Sequence, residues 1–224
     1  TINATLSPHL SFDFSRDFAP VSLFAVVPNI LVAHPSLGIS TVGELIALAK
    51  SKPGEISFGS SGIGTSPHLS GELFNSMAGV RLVHVPYGGS SQAATDLVAG
   101  RIGVMFSPAS SVTGYVSAGR LKALAVTTMQ RISGAPGLPT ISESGLPGFD
   151  TSVWMGIVAP SGTPRAAVDR LAKGIAESLK ADDVVGPLQK QGLDVAPMGP
   201  DEFRRYIDSE TRKWAEVVKR VAPK

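Results

Sequence analysis

Residues 56–69 (ISFGSSGIGTSPHL) combine glycines, hydroxyl side chains and a proline in the order expected where a strand turns into a helix. Ile56 and Phe58 alternate as in a β-strand, Ser66 is a favourable helix N-cap, and Pro67 suits the first helical position. The free N–H groups at such a helix start attract anions, and the helix dipole adds to this attraction. The glycines let a ligand approach the backbone, and the hydroxyls add donors. The segment therefore predicts an anion-binding corner.

Other interpretations of this segment stay open. Glycine and serine also build tight turns before capped helices without binding anything. A Walker-type nucleotide site is disfavoured because no lysine follows the loop, and the order of the glycines is not the dinucleotide fingerprint. A serine hydrolase would need Ser61 or Ser66 as nucleophile and His68 as base, but neither serine lies in a G-x-S-x-G turn. Hydrolase activity is therefore the least favoured alternative.

The composition excludes several classes of function. The chain has no cysteine, so disulfides, thiolate metal sites and cysteine nucleophiles are excluded. The four histidines lack metal-ligand spacing, and we expect neither a metal nor a cofactor. A formal charge of +2 is spread along the chain without a Lys/Arg cluster, which argues against a nucleic-acid partner. With 43% hydrophobic and 17% charged residues, the 224-residue chain is expected to be globular.

Residues 18–43 carry no charged side chain and are long enough to span a bilayer. Pro20, Pro28 and Pro35 interrupt the segment, however, and residues 30–33 (ILVA) fit a buried strand better. We therefore predict that the chain does not itself span a membrane. No signal peptide is visible at the start of the sequence, so we expect a chain that is either cytoplasmic or already processed or truncated.

Strands and helices alternate around the corner. A capping box at residues 41–44 (TVGE) predicts one helix, and strand-like segments at 82–85, 102–106 and 121–126 are separated by further helices. The alternation predicts an α/β fold with a mostly parallel sheet and helices on both faces, whose ligands lie beyond the carboxyl ends of the strands. The glycine- and serine-rich turns all fall at such ends.

The alternation stops between residues 127 and 150, where glycine and proline indicate loops and a change of lobe. A strand is predicted at 153–158, and helices are predicted from 163, around 185–188 and from 200. The last helix carries an apolar stripe that includes Trp214, which we expect to pack in a core.

Motifs along essentially the whole chain resemble the periplasmic substrate-binding receptors of tripartite tricarboxylate transporters, also called Bug proteins. The motifs are residues 17–22 (DFAPVS), 32–36 (VAHPS), 44–50 (ELIALAK), 60–69 (SSGIGTSPHL), 83–89 (VHVPYGG), 124–127 (LAVT) and 154–160 (WMGIVAP). Together they are specific, although each alone would be weak. The resemblance implies a type II periplasmic-binding-protein fold with two lobes and a small carboxylate or related acid bound between them.

The resemblance also implies ligand contacts from three loops and from the start of the chain. These predicted contacts are Ser61, Gly64, Thr65, Ser66 and His68; Tyr87, Gly88, Gly89 and Ser90; Ser107 and Ala109; and Thr1 and Asn3. His68 could instead pack or cap its helix, and Tyr87 could be a core ring whose hydroxyl bonds to the backbone. Family members often have Asp where this chain has Ser107, so Ser107 favours a plain carboxylate over an amino acid.

The resemblance further implies how the chain is organised. Residues 28–149 would form the complete second lobe, and residues 1–27 plus 150–224 the remainder of a first lobe that is incomplete at its N-terminus, because family members extend beyond the position matching Thr1. We expect a periplasmic receptor that binds a small organic acid without chemistry and delivers it to the membrane permease subunits of a secondary transporter. A ligand-sensing receptor for a signalling partner is the alternative, and it would have the same fold.

Overall fold

The computed structural model describes residues 13–132, 134–190 and 192–221. The chain forms two compact units. One unit, called here the continuous unit, spans Val27–Val153. The other, called the discontinuous unit, contains the described residues up to Val26 and those from Trp154 onwards.

Helices and strands alternate through most of the chain, as predicted for an α/β protein. The helices are α1 (Phe14–Asp17), α2 (Val42–Ser51), α3 (Ser66–Ala78), α4 (Ser90–Val98), α5 (Ala109–Ser117), α6 (Arg165–Ser178), α7 (Asp182–Lys190) and α8 (Pro200–Val221), with a 3-10 helix at Pro35–Leu37. The strands are β1 (Phe18–Ala33), β2 (Ser57–Ser60), β3 (Val83–Pro86), β4 (Val104–Pro108), β5 (Lys122–Val126), β6 (Ser152–Pro160) and β7 (Asp194–Met198).

The sheet of the continuous unit has the strand order β3-β2-β4-β1-β5. Strand β2 pairs in parallel with β3 and β4, whereas β1 pairs antiparallel with β4 and β5. The sheet is therefore mixed: β2 to β5 run in one direction, as expected for a mostly parallel sheet, and β1 runs against them. As a result, the carboxyl ends of β2 to β5 share one edge of the sheet with Asn29 of β1, which pairs with Pro108. We call this edge the carboxyl edge.

Helices cover both faces of this sheet. Neighbouring residues of a strand point to opposite faces, so Phe106 and Met105 of β4 belong to different layers. Phe106 packs against the rings of Phe58 and Phe74, and Phe74 belongs to α3. Met105 belongs to a second cluster that contains Leu97 of α4 and residues of α5. Apolar burial on both faces thus fixes α3, α4 and α5 to the sheet.

In the discontinuous unit, β1 pairs antiparallel with β7, for example Leu23 with Met198. Leu23 packs against Phe203 and Ile207 of α8, whose stripe continues to Trp214. Trp214 is 1% exposed and donates from its indole Nε1 to Glu210 at 2.9 Å, which confirms its predicted core position. Residues 18–33 form a strand rather than a helix, and over the described ranges no helix is both long and apolar enough to cross a membrane.

Candidate functional site

Three helices begin side by side at the carboxyl edge: α3 directly follows β2, α4 follows β3, and α5 follows β4. Their N-cap residues are Thr65, Gly89 and Pro108, and none of these makes a side-chain capping bond. Helix α2, which comes after the opposite end of β1, has a complete capping box between Thr41 and Glu44. The first N–H groups of a helix have no partner inside it. The helix N–H groups at the carboxyl edge therefore have no side-chain cap, whereas those at the start of α2 are satisfied by its capping box.

Helix α3 begins one residue earlier than the capping pattern predicted. Thr65 has the extended conformation of an N-cap, so Ser66 is the first helical residue and Pro67 the second. Proline is tolerated there because an N–H at that position would have no helical partner. No backbone acceptor in the described chain pairs with the N–H of Ser66 or His68. These two amides are the open donors of α3.

The loop before α3 is held by its own hydrogen bonds. Ser60 Oγ bonds to both the N–H and the C=O of Gly62, at 3.1 Å each, and Thr65 Oγ1 donates to the same carbonyl at 2.7 Å. The hydroxyl hydrogen of Thr65 is thus already used. Gly64 has φ +78°, a left-handed conformation that favours glycine. Ser61 makes no side-chain hydrogen bond to any described residue and stays available.

Two histidines hydrogen-bond to this loop. Nδ1 of His68 accepts a hydrogen bond from the N–H of Gly64 at 3.1 Å, and Nε2 of His84 lies 2.6 Å from Ser60 Oγ. The two rings are in contact, with centroids 4.1 Å apart. Since a neutral imidazole carries one proton, His68 has its hydrogen on Nε2, which faces Glu72 at 3.9 Å. The amide of Gly64, a predicted ligand contact, is therefore used by the protein itself.

Burial keeps both imidazoles neutral. It lowers the pKa of His68, and burial together with repulsion from a protonated His68 lowers the pKa of His84 to about 4. Burial also raises the pKa of Glu72. Near neutral pH the loop is therefore supported by uncharged rings, and any anion at this edge would meet neutral donors.

The arrangement gives no support to a serine nucleophile. Among the described residues neither Ser61 nor Ser66 is hydrogen-bonded to His68, the base that the hydrolase interpretation required. In this loop, Ser60 is the serine that contacts a histidine, and it is fully buried. Ser60 accepts from the N–H of Gly62 and donates to its carbonyl, so His84 acts as a donor to Ser60 rather than as a base.

The other two loops use part of their polar groups internally. The hydroxyl of Tyr87 donates to Asp96 at 2.9 Å, and its ring packs on the core of the unit, so the interpretation of Tyr87 as a packed ring holds, with a carboxylate as partner. The N–H of Gly88 donates to Gln92 at 3.2 Å. Ser107 is buried and donates to the carbonyl of its neighbour, Pro108.

A buried polar ring beside α3 was not predicted from the sequence. Asn29 Nδ2 donates to Ser66 Oγ at 2.8 Å, and Ser70 Oγ bonds both the Ser66 carbonyl and Thr151 Oγ1, at 2.8 and 2.7 Å. Thr127 Oγ1 donates to the Thr151 carbonyl at 2.6 Å and accepts from the N–H of Asn29 at 3.2 Å. The ring fixes the start of α3 to the carboxyl edge. Asn29 within the apolar stretch of residues 23–33 was the available signal.

The topology brings most of the predicted contacts to the carboxyl edge. These are Ser61, Gly64, Thr65, Ser66, His68, Tyr87, Gly88, Gly89, Ser90, Ser107 and Ala109. Thr1 and Asn3 lie outside the described residues. The set contains no lysine or arginine, and within the described chain no group of three His, Asp or Glu side chains could hold a metal ion. The edge can therefore offer amides and hydroxyls to a small anion.

The fold of this chain is that of the periplasmic solute-binding proteins, to which similar solved structures belong. The solved structure of R. palustris Rpa4515 with adipate is similar, with a TM-score of 0.76 and 36% identity over 93% of this chain and 70% of that one. MatC (Rpa3494) from Rhodopseudomonas palustris, with bound malate, has a TM-score of 0.73 and 27% identity over 97% of this chain and 75% of that one. Both comparisons confirm the predicted fold class.

Residues 2–222 match the Tripartite tricarboxylate transporter family receptor, and the chain belongs to this family. A protein from the tcbD-tcbE intergenic region of Pseudomonas sp. strain P51 is 40% identical over 94% of this chain and 63% of its own length. BugT of Bordetella pertussis is 33% identical over 100% of this chain and 68% of its own. The chain thus spans about two thirds of the length of these relatives. The family consists of receptors and not of enzymes.

Proposed function

We propose that the chain is a receptor that captures a small organic acid through a carboxylate at the carboxyl edge of the continuous unit. The observation that carries the proposal is the row of three neighbouring helix starts, at Thr65, Gly89 and Pro108, without side-chain caps. A carboxylate can accept several N–H bonds, and the positive end of each helix dipole stabilises its charge. Hydroxyls of Ser61 and Ser66 add neutral donors.

Neutral donors suit a receptor that must also release its solute. An ion pair with arginine would hold a carboxylate through strong bidentate bonds. The predicted contacts contain no such residue, so affinity would come from amides and hydroxyls, with ordered water between them. Adipate and malate, the acids in the two similar solved structures, are both dicarboxylates. They support small dicarboxylates as the first candidates for this chain.

The receptor would act in two lobes that close around the acid. We assign residues 28–149 to the second lobe and residues 1–27 plus 150–224 to the first, with Thr1 and Asn3 as further contacts. Closure would be driven by the higher affinity of the acid for the closed form. The closed receptor would deliver the acid to membrane permease subunits, and we place it in the periplasm. The family, a transporter receptor, supports both assignments.

The binding part is tested by thermal unfolding of the purified chain, alongside a version extended upstream of Thr1, with and without each acid. Adipate, malate, succinate and citrate are compared with adipamide, which has similar length but no charge. A bound acid stabilises by RT ln(1 + [L]/Kd), so the midpoint should rise with acid concentration and not with adipamide. If no acid stabilises either version, although both are folded by circular dichroism, the binding proposal fails.

Delivery of the acid to a permease is tested by uptake in cells. Uptake of a labelled acid that passes the binding test should be lost when the gene for this chain is deleted, and restored by the wild-type gene. A variant with Ser66→Pro, which removes one open amide of α3, should restore less uptake. Full uptake in the deleted strain would show that the receptor does not feed a permease for that acid.

A further inference from the structure

Asn29 holds an unused acceptor beside the proposed carboxylate site. Its residue is 0% exposed, and its Oδ1 is the one buried side-chain polar atom among the described residues that has no hydrogen-bond partner. Leaving such an atom unpaired costs about 1–3 kcal/mol. Unpaired buried polar groups are rare in folded proteins, and each one calls for a reason.

The position of this atom is fixed by the backbone. The N–H of Asn29 donates to Thr127 Oγ1 at 3.2 Å, and its carbonyl accepts from the N–H of Thr127 at 3.0 Å. On the side chain, Nδ2 donates to Ser66 Oγ at 2.8 Å. The carboxamide is therefore directed at the first residue of α3, where the open amides of Ser66 and His68 lie.

Ser66 provides a hydrogen-bond donor next to Asn29, which carries the unused acceptor. Its Oγ accepts from Asn29, and no acceptor among the described residues takes its hydroxyl hydrogen. The donors at the start of α3, namely the Ser66 hydroxyl and the two amides, thus lie next to the side chain that carries the unused acceptor, because Asn29 Nδ2 bonds to Ser66 Oγ. A plain carboxylate uses only the donors, because it has no hydrogen to give at neutral pH. A solute that uses all of them must carry a donor close to its carboxylate.

A hydroxyl fits this requirement better than an ammonium group. An ammonium would call for a charged partner, but Ser107, at the neighbouring end of β4, is a neutral side chain. Its own hydroxyl already donates to Pro108. In a 2-hydroxy acid, one carbon separates the hydroxyl from the carboxylate, which matches neighbouring acceptor and donor groups on Asn29 and Ser66.

We infer that Asn29 is a specificity residue for 2-hydroxy carboxylates, an inference that rests on the proposed carboxylate site. The Ser66 hydroxyl and the α3 amides donate to the carboxylate, and Asn29 Oδ1 accepts from the 2-hydroxyl. An acid without that hydroxyl leaves Asn29 unpaired and binds more weakly, because a buried hydrogen-bonding group discriminates against a ligand that lacks its partner.

The test is calorimetric titration of the chain with L-malate, succinate and 2-fluorosuccinate. The three acids share a backbone, and fluorine resembles the hydroxyl in size but has no hydrogen to donate. We expect the wild-type chain to bind malate about tenfold more tightly than either of the others. In the Asn29→Ala variant the three acids should bind with similar affinities. Asn75→Ala is the matched control, since both amide atoms of Asn75 bond to the backbone of Leu82, and it should leave the malate preference intact.

The outcomes separate this inference from the proposed function. Equal binding of malate and succinate by the wild-type chain, or a preference that survives Asn29→Ala, overturns the role of Asn29 while leaving carboxylate binding in place. Binding of adipate with no binding of malate also overturns the role of Asn29 and leaves carboxylate binding in place. Failure to bind any acid removes the proposed site altogether. If Asn29→Ala does not fold, the comparison of malate with 2-fluorosuccinate on the wild-type chain still decides, because equal affinities contradict a role for the hydroxyl hydrogen.

Discussion

His68 Nδ1 accepts the hydrogen bond of the Gly64 amide at 3.1 Å, so a side chain of α3 reaches back to hold the loop that precedes the helix. His68 is buried at 6% exposure and its ring contacts that of His84, which in turn donates to Ser60 at the other end of the loop. Both ends of the loop are thereby tied to imidazoles. His68 is a positioning residue for the loop, and the donors left for a solute are the amides of the helix start.

His68→Leu tests this positioning role. Leucine keeps much of the volume but has no acceptor, so the Gly64 N–H loses its partner. The expected cost is about 1–3 kcal/mol in the free energy of unfolding, measured by urea denaturation, and acid binding should weaken as well. His68→Gln, which offers an amide oxygen, should recover part of the loss. Wild-type stability in the leucine variant would show that the bond does not hold the loop.

The lowered pKa of His84 makes stability depend on pH. The pKa is about 4 in the folded chain against 6.5 without the protein environment, so between these values the unfolded chain binds more protons. Stability should be complete above pH 6.5 and fall as the pH drops towards 4. Because His84 is only partly buried, we expect about 1–2 kcal/mol from this group.

The pH effect is measured as urea unfolding at a series of pH values. His68, whose pKa is also lowered, contributes in the same direction, whereas Glu72, whose pKa is raised by burial, opposes it. His84→Gln removes one titrating group and should flatten the profile between pH 6.5 and 4. An unchanged slope in that variant would show that His84 is not protonated on unfolding in this range.

Local patterns predicted much of this fold. The capping box at Thr41 and Glu44 and the helix after Pro67 follow from side-chain chemistry within a few residues. The direction of β1 did not follow, because strand pairing depends on residues far apart in sequence. That direction brings Asn29 to the carboxyl edge, so its role could not be predicted from the local sequence pattern. The use of the Gly64 amide by His68 was equally hidden, since residue types do not show which donors are already occupied.

Gly71→Ala probes the packing that places α3. A Cβ at Gly71 would overlap the ring of Phe58 in β2. The helix or the ring must move, and we expect a loss of about 2–3 kcal/mol or more in the free energy of unfolding, together with weaker acid binding. Gly114→Ala in α5 is the matched control, because its Cβ would meet no atom within 4 Å. It should be neutral or stabilise slightly. Similar stabilities of the two variants would contradict close packing at Gly71.

Thr127→Val tests the buried polar ring. Valine has nearly the same shape but leaves the N–H of Asn29 and the carbonyl of Thr151 each without the hydroxyl they use. We expect a loss of about 2–4 kcal/mol, measured by thermal or urea unfolding. Thr113→Val removes an exposed hydroxyl that bonds within α5 and should change stability by less than about 0.5 kcal/mol. A Thr127 variant as stable as its control would mean that the ring contributes little.

We propose that open amides at three helix starts bind the carboxylate. The most direct measurement is a series of 15N–1H NMR spectra of the chain during titration with malate or adipate, with adipamide as the uncharged control. We predict saturable shifts at the amides of Ser66, His68, Ser90 and Ala109, and none with adipamide. Saturable binding of either acid that leaves these four amides unchanged would contradict the account.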